Sequence, residues 1–146
     1  MGQRLGGQEP RPRTEKTVIR PVLLDASFLI ALERETARRE EGPARRFLPS
    51  LRGRQLVVSI VSVEEILEGA ADEDAALASL QRFAIHGLHL AQARRCALVQ
   101  RRASRRRRMG ENDAWLVATA QSLDADVLGA DRIAFERLGG RYLRFR

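Results

Sequence analysis

The periodic part of the chain opens with Val22-Leu23-Leu24, three apolar residues in a row that stop at Asp25. So short a run, ended by an acid, predicts a strand buried on both faces. Phe28, Leu29 and Leu32 then recur at helical spacing and predict a helix to about Arg39, broken by Gly42-Pro43. Ala44, Phe47, Leu48 and Leu51 predict a second short helix, ended by Gly53, and Leu56-Val57-Val58 with Ile60 predicts a second strand. Ser62-Val63-Glu64-Glu65 has the form of a capping box, with Ser62 as N-cap of a helix whose apolar face is Val63, Ile66, Leu67 and Ala70. Asp72 or Asp74 starts the next helix, with Leu77, Leu80 and Phe83 inward. Ile85, Leu88 and Leu90 predict a third strand, and a long helix follows from about Ala91 to Arg107. After Gly110, Asn112 is placed to cap a helix carrying Leu116, Val117, Ala120 and Leu123. Val127-Leu128 predicts a fourth strand, Ile133 to Leu138 a helical turn or two, and Tyr142 to Phe145 a last strand.

Strands alternate with helices throughout. That order predicts an α/β fold: a three-layer α/β/α sandwich around a mainly parallel sheet of about five strands. Residues 1–19 are rich in Gly, Gln, Pro and charge without periodicity, and read as a flexible basic leader. Residues 20–146 read as one domain.

Composition narrows the chemistry. No apolar run approaches the roughly eighteen residues of a membrane helix, and the first twenty residues lack the apolar core of a secretory signal. Cys96 is the only cysteine, so neither an internal disulfide nor a cysteine-built zinc site is available. These features predict a cytoplasmic protein without a membrane partner. The formal charge is +7, nearly all from arginine, because Lys16 is the only lysine. A P-loop, which needs a lysine after its glycines, is therefore excluded. The sign of the charge suits a polyanionic partner.

The acids fall in a pattern. In an open parallel sheet, ligands bind beyond the C-terminal ends of the strands. Asp25 directly follows the first predicted strand, and Asp131 follows the fourth with only Gly129 and Ala130 between. Asp113 stands in register with Leu116, Val117 and Ala120 and so heads the inward face of its helix, a costly place for a carboxylate unless donors or a cation satisfy it. Glu64, Glu65 and Glu68 all lie off their helix's apolar face, and periodicity does not choose among them.

These segments resemble the PIN-domain family. Val22-Leu23-Leu24-Asp25-Ala26-Ser27 resembles its strand-one motif, an Asp followed two residues later by Ser or Thr. Ser59 to Gly69 resembles the second motif, Glu-Leu-x-x-Gly, and this alignment selects Glu65, four residues before Gly69. Asn112-Asp113-Ala114 with its Ala-rich helix resembles the third, and Asp131 to Phe135 the fourth. There are departures: Gly129 stands where many members have Thr, and the spacing from Asp131 to Phe135 is one residue longer than the commonest form. The nearest branch is the VapC-like toxins.

The resemblance implies a metal-dependent endoribonuclease that hydrolyses RNA phosphodiester bonds at Asp25, Glu65, Asp113 and Asp131. Carboxylate oxygens are hard ligands and suit Mg²⁺ or Mn²⁺. Asp25 and Asp113 are the expected first ligands, with Glu65 and Asp131 completing the set and Ser27 and Asn112 orienting carboxylates or substrate. Arg101, Arg102 and the run Arg105, Arg106, Arg107 and Arg108 lead toward Asp113, and the last four are the expected RNA contacts. His86 and His89 read as structural. The branch further implies a homodimer silenced by a small antitoxin. Two other readings are a PIN nuclease of RNA processing without an antitoxin, and a PIN-like module that binds nucleic acid or protein without cleaving.

Overall fold

The computed structural model describes residues 19–103, 108–130, 138 and 141–146. The predicted leader up to residue 18, Arg105 to Arg107, and the segment 131–137 with Asp131 lie outside the described residues.

β1 (Val22–Leu24) is the centre of a five-stranded sheet. β2 (Leu56–Ser59) and then β3 (Ala84–His86) lie on one side of it, and β4 (Asp126–Gly129) and then β5 (Tyr142–Arg144) on the other. Among the described residues every strand pair is parallel, so there "mainly parallel" sharpens to wholly parallel. The α-helices among the described residues are α1 (Ala26–Arg38), α2 (Pro43–Phe47), α3 (Ile60–Gly69), α4 (Glu73–Leu80), α5 (Leu90–Arg102) and α6 (Glu111–Leu123), with a 3-10 turn at Leu48–Leu51 after α2.

Successive residues of a strand point to opposite faces, and a strand covered on both sides is apolar throughout. Val22, Leu24, Val58 and Leu128 join a core with Phe28, Leu29 and Leu32 of α1 and Val63 and Ile66 of α3. Leu23, Val57 and Val127 join a second core with Leu116, Val117 and Ala120 of α6. Three layers follow, as the pattern predicts. Phe145 closes the first core by meeting the Phe28 ring edge-to-face, the centroids 5.1 Å apart.

α6 is buried almost all round, from Ala114 through Leu116 to Ala120, because it is wedged between the sheet and α5. α5 and α6 form an antiparallel hairpin. Gln92 Nε2 near the start of α5 donates to Ser122 Oγ near the end of α6 at 2.7 Å. At the other end Gln100 Nε2 donates to the Met109 carbonyl at 2.9 Å, and the Met109 N–H donates back to Gln100 Oε1 at 3.2 Å.

Five boundaries differ from the pattern. α5 ends at Arg102, where Ala103 takes extended backbone, short of the predicted Arg107. Ile60 opens α3 rather than extending β2, and its side chain is exposed. Ser59 is the cap: its backbone is extended and its Oγ accepts the Val61 N–H at 3.2 Å. Ser62 is therefore buried inside the helix, and the Ser62–Glu65 capping box does not form. β3 ends at His86, so Leu88 and Leu90 are exposed outside it, and His89 caps α5 with its N–H bonded to Gln92 Oε1 at 2.9 Å. Asn112 lies inside the first turn of α6 with Gly110 as N-cap, and its Nδ2 donates to Glu65 instead.

Among the described residues, no helix is long and apolar enough to cross a membrane.

Candidate active site

The strand order reverses between β1 and β4, since the chain builds outward from β1 to β3 and then returns to the other side of β1. A crevice opens at such a switch point, beyond the carboxyl ends of the strands. Asp25 stands there. Its N–H donates to the Leu128 carbonyl at 2.8 Å, which ties the end of β1 to β4. Its carboxylate caps α1: Oδ2 accepts the Ser27 hydroxyl at 2.6 Å and the Ser27 N–H at 3.3 Å. Ser27 Oγ in turn accepts the Ala130 N–H at 3.0 Å. One hydroxyl thus fixes Asp25 and the chain leaving β4, the chain that continues to Asp131. The other carboxylate oxygen, Oδ1, takes no part in these bonds.

Glu65 comes to the site from α3. With the cap moved to Ser59, its side chain is released from the backbone and accepts the Asn112 Nδ2 amide of α6 at 2.8 Å. Burial pushes the Glu65 carboxyl above its ordinary range, the Asn112 amide opposes this, and the charges of Asp25, Asp113 and Glu64 push it further up. Glu64 is fully exposed, and its carboxyl is raised chiefly by the neighbouring Glu68 charge. Of the three glutamates the motif had to separate, Glu65 is the one bonded to the start of α6 and facing the other acids. Asp113 lies in the first turn of α6, half-buried, beside Asn112.

The structure therefore brings together Asp25, Glu65 and Asp113, with Ser27 and Asn112 each bonded to one of the acids. Asp131, Arg105, Arg106 and Arg107 lie outside the described residues, and Arg108 is exposed just before α6. Among the described residues, no three Asp, Glu, His or Cys side chains already stand close enough to cage an ion. The donor chemistry still fits a hard divalent cation. A carboxyl raised by burial and by neighbouring negative charge, as at Glu65, is relieved by a cation placed beside it. His86 and His89 pack edge-to-face on each other, centroids 5.6 Å apart, at the β3 edge.

Gly129 is the residue beside the site whose closeness to Asp25 periodicity does not show. A Cβ there would lie 3.0 Å from Asp25 Cβ, 3.1 Å from Asp25 Oδ2 and 3.3 Å from Ser27 Oγ. The space that a threonine would fill is taken by the Asp25–Ser27 pair, and the hydroxyl near β4 comes from Ser27 instead. The sequence signal was the glycine's departure from the motif that the segment resembles. Gly129→Thr is expected to cost about 1–2 kcal/mol, because Asp25 is held at both backbone and carboxylate and cannot step aside. Urea unfolding checks this, and a midpoint equal to wild type would mean the site has room.

Comparison with known proteins agrees with the geometry. The PIN domain family model matches residues 22–141. The chain belongs to the PIN domain family. Among solved structures, a toxin–antitoxin complex from Klebsiella pneumoniae contains a chain 20% identical, with a TM-score of 0.70, over 86% of this chain and 98% of that one. A DNA-bound VapBC from Salmonella typhimurium gives 17% identity and a TM-score of 0.70, over 87% and 99%. VapBC-1 from nontypeable Haemophilus influenzae gives 18% identity and 0.64, over 85% and 97%. At these identities the likeness establishes the fold. No curated protein sequence matches the chain.

Proposed function

We propose that the chain is a metal-dependent endoribonuclease of the VapC type, the toxin of a toxin–antitoxin pair. The observation that carries this reading is the placement of Asp25 at the switch point, held by Ser27, with Glu65 of α3 bonded to Asn112 beside Asp113 at the start of α6. A packed fold gains nothing from mutually repelling carboxylates at one edge, whereas a cation-binding site needs them.

Asp25, Asp113 and Glu65 would hold Mg²⁺ or Mn²⁺, with Asp131 as the fourth acid. When bound, the ion supplies acidification of a water and neutralisation of charge on the phosphate. The protein's own part is orientation. Ser27 holds one oxygen of Asp25, and Asn112 holds one oxygen of Glu65, so that each carboxylate presents a fixed face. Arg108, with Arg105 to Arg107, would take the RNA backbone beside Asp113.

The toxin assignment with a small antitoxin is supported by the family and by the toxin–antitoxin complexes named above; the homodimer is carried over from the family resemblance alone. We read residues 20–146 as the nuclease domain and 1–19 as a leader to it. We read the setting as cytoplasmic, where the proposed RNA substrate would be met.

The test is cleavage of total cellular RNA by the purified chain with Mg²⁺ or Mn²⁺. Discrete fragments that vanish with chelator are the expected result. No fragments under any divalent ion, with correctly folded protein, would instead favour a binding module.

A further inference from the structure

α5 turns Gln92 and Cys96 inward and leaves Arg94, Arg95, Arg101 and Arg102 exposed. Arg101 stands seven positions after Arg94, and Arg102 seven after Arg95, which is close to two helical turns. The two pairs therefore lie on one face, about 10.5 Å apart along the axis. α5 contains no Asp or Glu, and none of its arginines makes an ion pair among the described residues.

The contrast lies at the opposite edge of the sheet. There Arg54 pairs with Asp126, while Arg20 and Arg141 pair with Asp124. Arginines near the start of β4 are neutralised, whereas those on α5 are held in a row uncompensated, a field that attracts a polyanion. The hairpin gives the row a direction. Through the Gln100–Met109 bonds, the Arg101–Arg102 end of α5 lies beside the start of α6, which carries Asn112 and Asp113. The Arg94–Arg95 end points away, toward the Gln92–Ser122 contact.

We infer that the Arg94, Arg95, Arg101 and Arg102 face of α5 is a track for the phosphate backbone of the RNA whose scissile bond lies at the acids. This rests on the nuclease reading above. Guanidinium forks match phosphate oxygens, and contacts of this kind supply affinity without reading sequence. The row ends at the acid site, so one continuous polymer occupies both. An acidic peptide would have no reason to be continuous between a basic row and a cluster of carboxylates.

The test is the salt dependence of RNA binding, with chelator present so that no cleavage occurs. A fluorescent single-stranded RNA of about 20 nucleotides is titrated with protein from about 50 to 300 mM KCl, read by anisotropy. Each phosphate contact contributes about 0.7 to the slope of log K against log salt for single strands, so the quadruple Arg→Gln variant is expected to lose about 3 from that slope. The quadruple Arg→Lys variant keeps the charge and should keep most of the slope. If the Gln variant folds poorly, the pairs Arg94/Arg95 and Arg101/Arg102 changed separately should each remove about 1.4. An unchanged slope overturns the track. So does an unchanged RNA slope accompanied by lost binding of poly-glutamate, which would assign the face to an acidic protein. The cleavage assay reports separately: cleavage with an unchanged slope retires only the track, and the expected slope change without cleavage retires only the nuclease.

Discussion

Asp25→Asn and Asp113→Asn are each expected to lower metal-dependent RNA cleavage by at least about 10²–10³-fold, while the proteins still fold. The two halves of this result have separate causes. Activity falls because an amide oxygen is a weaker ligand for a hard cation than a carboxylate and brings no negative charge. The fold survives because Asn does what Asp25 does locally. Asn is as good an N-cap as Asp, and its oxygen still accepts from Ser27, whose hydroxyl lies 2.6 Å from the present carboxylate. The backbone bond from residue 25 to Leu128 does not involve the side chain. At Asp113 the loss is a favourable charge in the first turn of α6, worth about 0.3–1 kcal/mol at a helix N-terminus. Circular dichroism and melting curves check the fold, and single-turnover cleavage of a labelled RNA checks the activity. Wild-type rates in either variant, purified free of contaminating nuclease, would remove that residue from the chemistry.

That the places of both acids in the fold were legible in the sequence has a physical reason. Asp25 ends a run buried on both faces, and Asp113 heads an inward helical face; each is marked by apolar neighbours that the fold must bury. Val22 to Leu24 and Val127-Leu128 were readable for the same reason, as central strands with no exposed side to vary. The errors occur where two residues compete for one role. Ser59 and Ser62 are both able to cap, and the local pattern does not show that β2 runs to Ser59 in register with His86. Leu88 and Leu90 carry a strand-like spacing, but they follow Gly87 at an edge where no further strand covers them. The site's bonds were less legible than its residues. The Glu65–Asn112 pair spans 47 positions and the Ser27–Ala130 bond 103, so neither leaves a local signature. The role of Gly129 could be noticed as a departure, but its cause, the closeness of Asp25 and Ser27, exists only once β1 and β4 are side by side. Likewise the arginines of α5 are a composition bias until the helix aligns them and α6 gives the row its direction.

Glu65→Gln is expected to move stability in opposite senses with and without metal. Burial and the charges of Asp25 and Asp113 raise the Glu65 carboxyl in the folded chain above its ordinary value. For an acid raised on folding, the native state binds the extra proton, so stability is highest at low pH and falls as pH rises from the ordinary glutamate range through the raised value. At neutral pH in chelator the ionised Glu65 therefore opposes folding. Gln removes the charge and keeps an oxygen for the Asn112 amide, so the variant should melt higher. The gain is held to about 1–3 °C because the group is partly open to solvent, which screens the repulsion. With divalent metal the order should reverse. A ligand that binds only the native state stabilises by about 2.7 kcal/mol at a hundred times its dissociation constant. Wild type should take most of that gain, and a variant missing one carboxylate should take little. Melting both proteins in chelator and then across a Mg²⁺ or Mn²⁺ series gives two curves that cross. Parallel curves would place the cation away from Glu65, and a variant that melts lower in chelator would mean that the Glu65–Asn112 bond depends on the charge as well as on the oxygen. Crossing curves would tie the repulsion among Asp25, Glu65 and Asp113 to the ion that relieves it, without any appeal to cleavage.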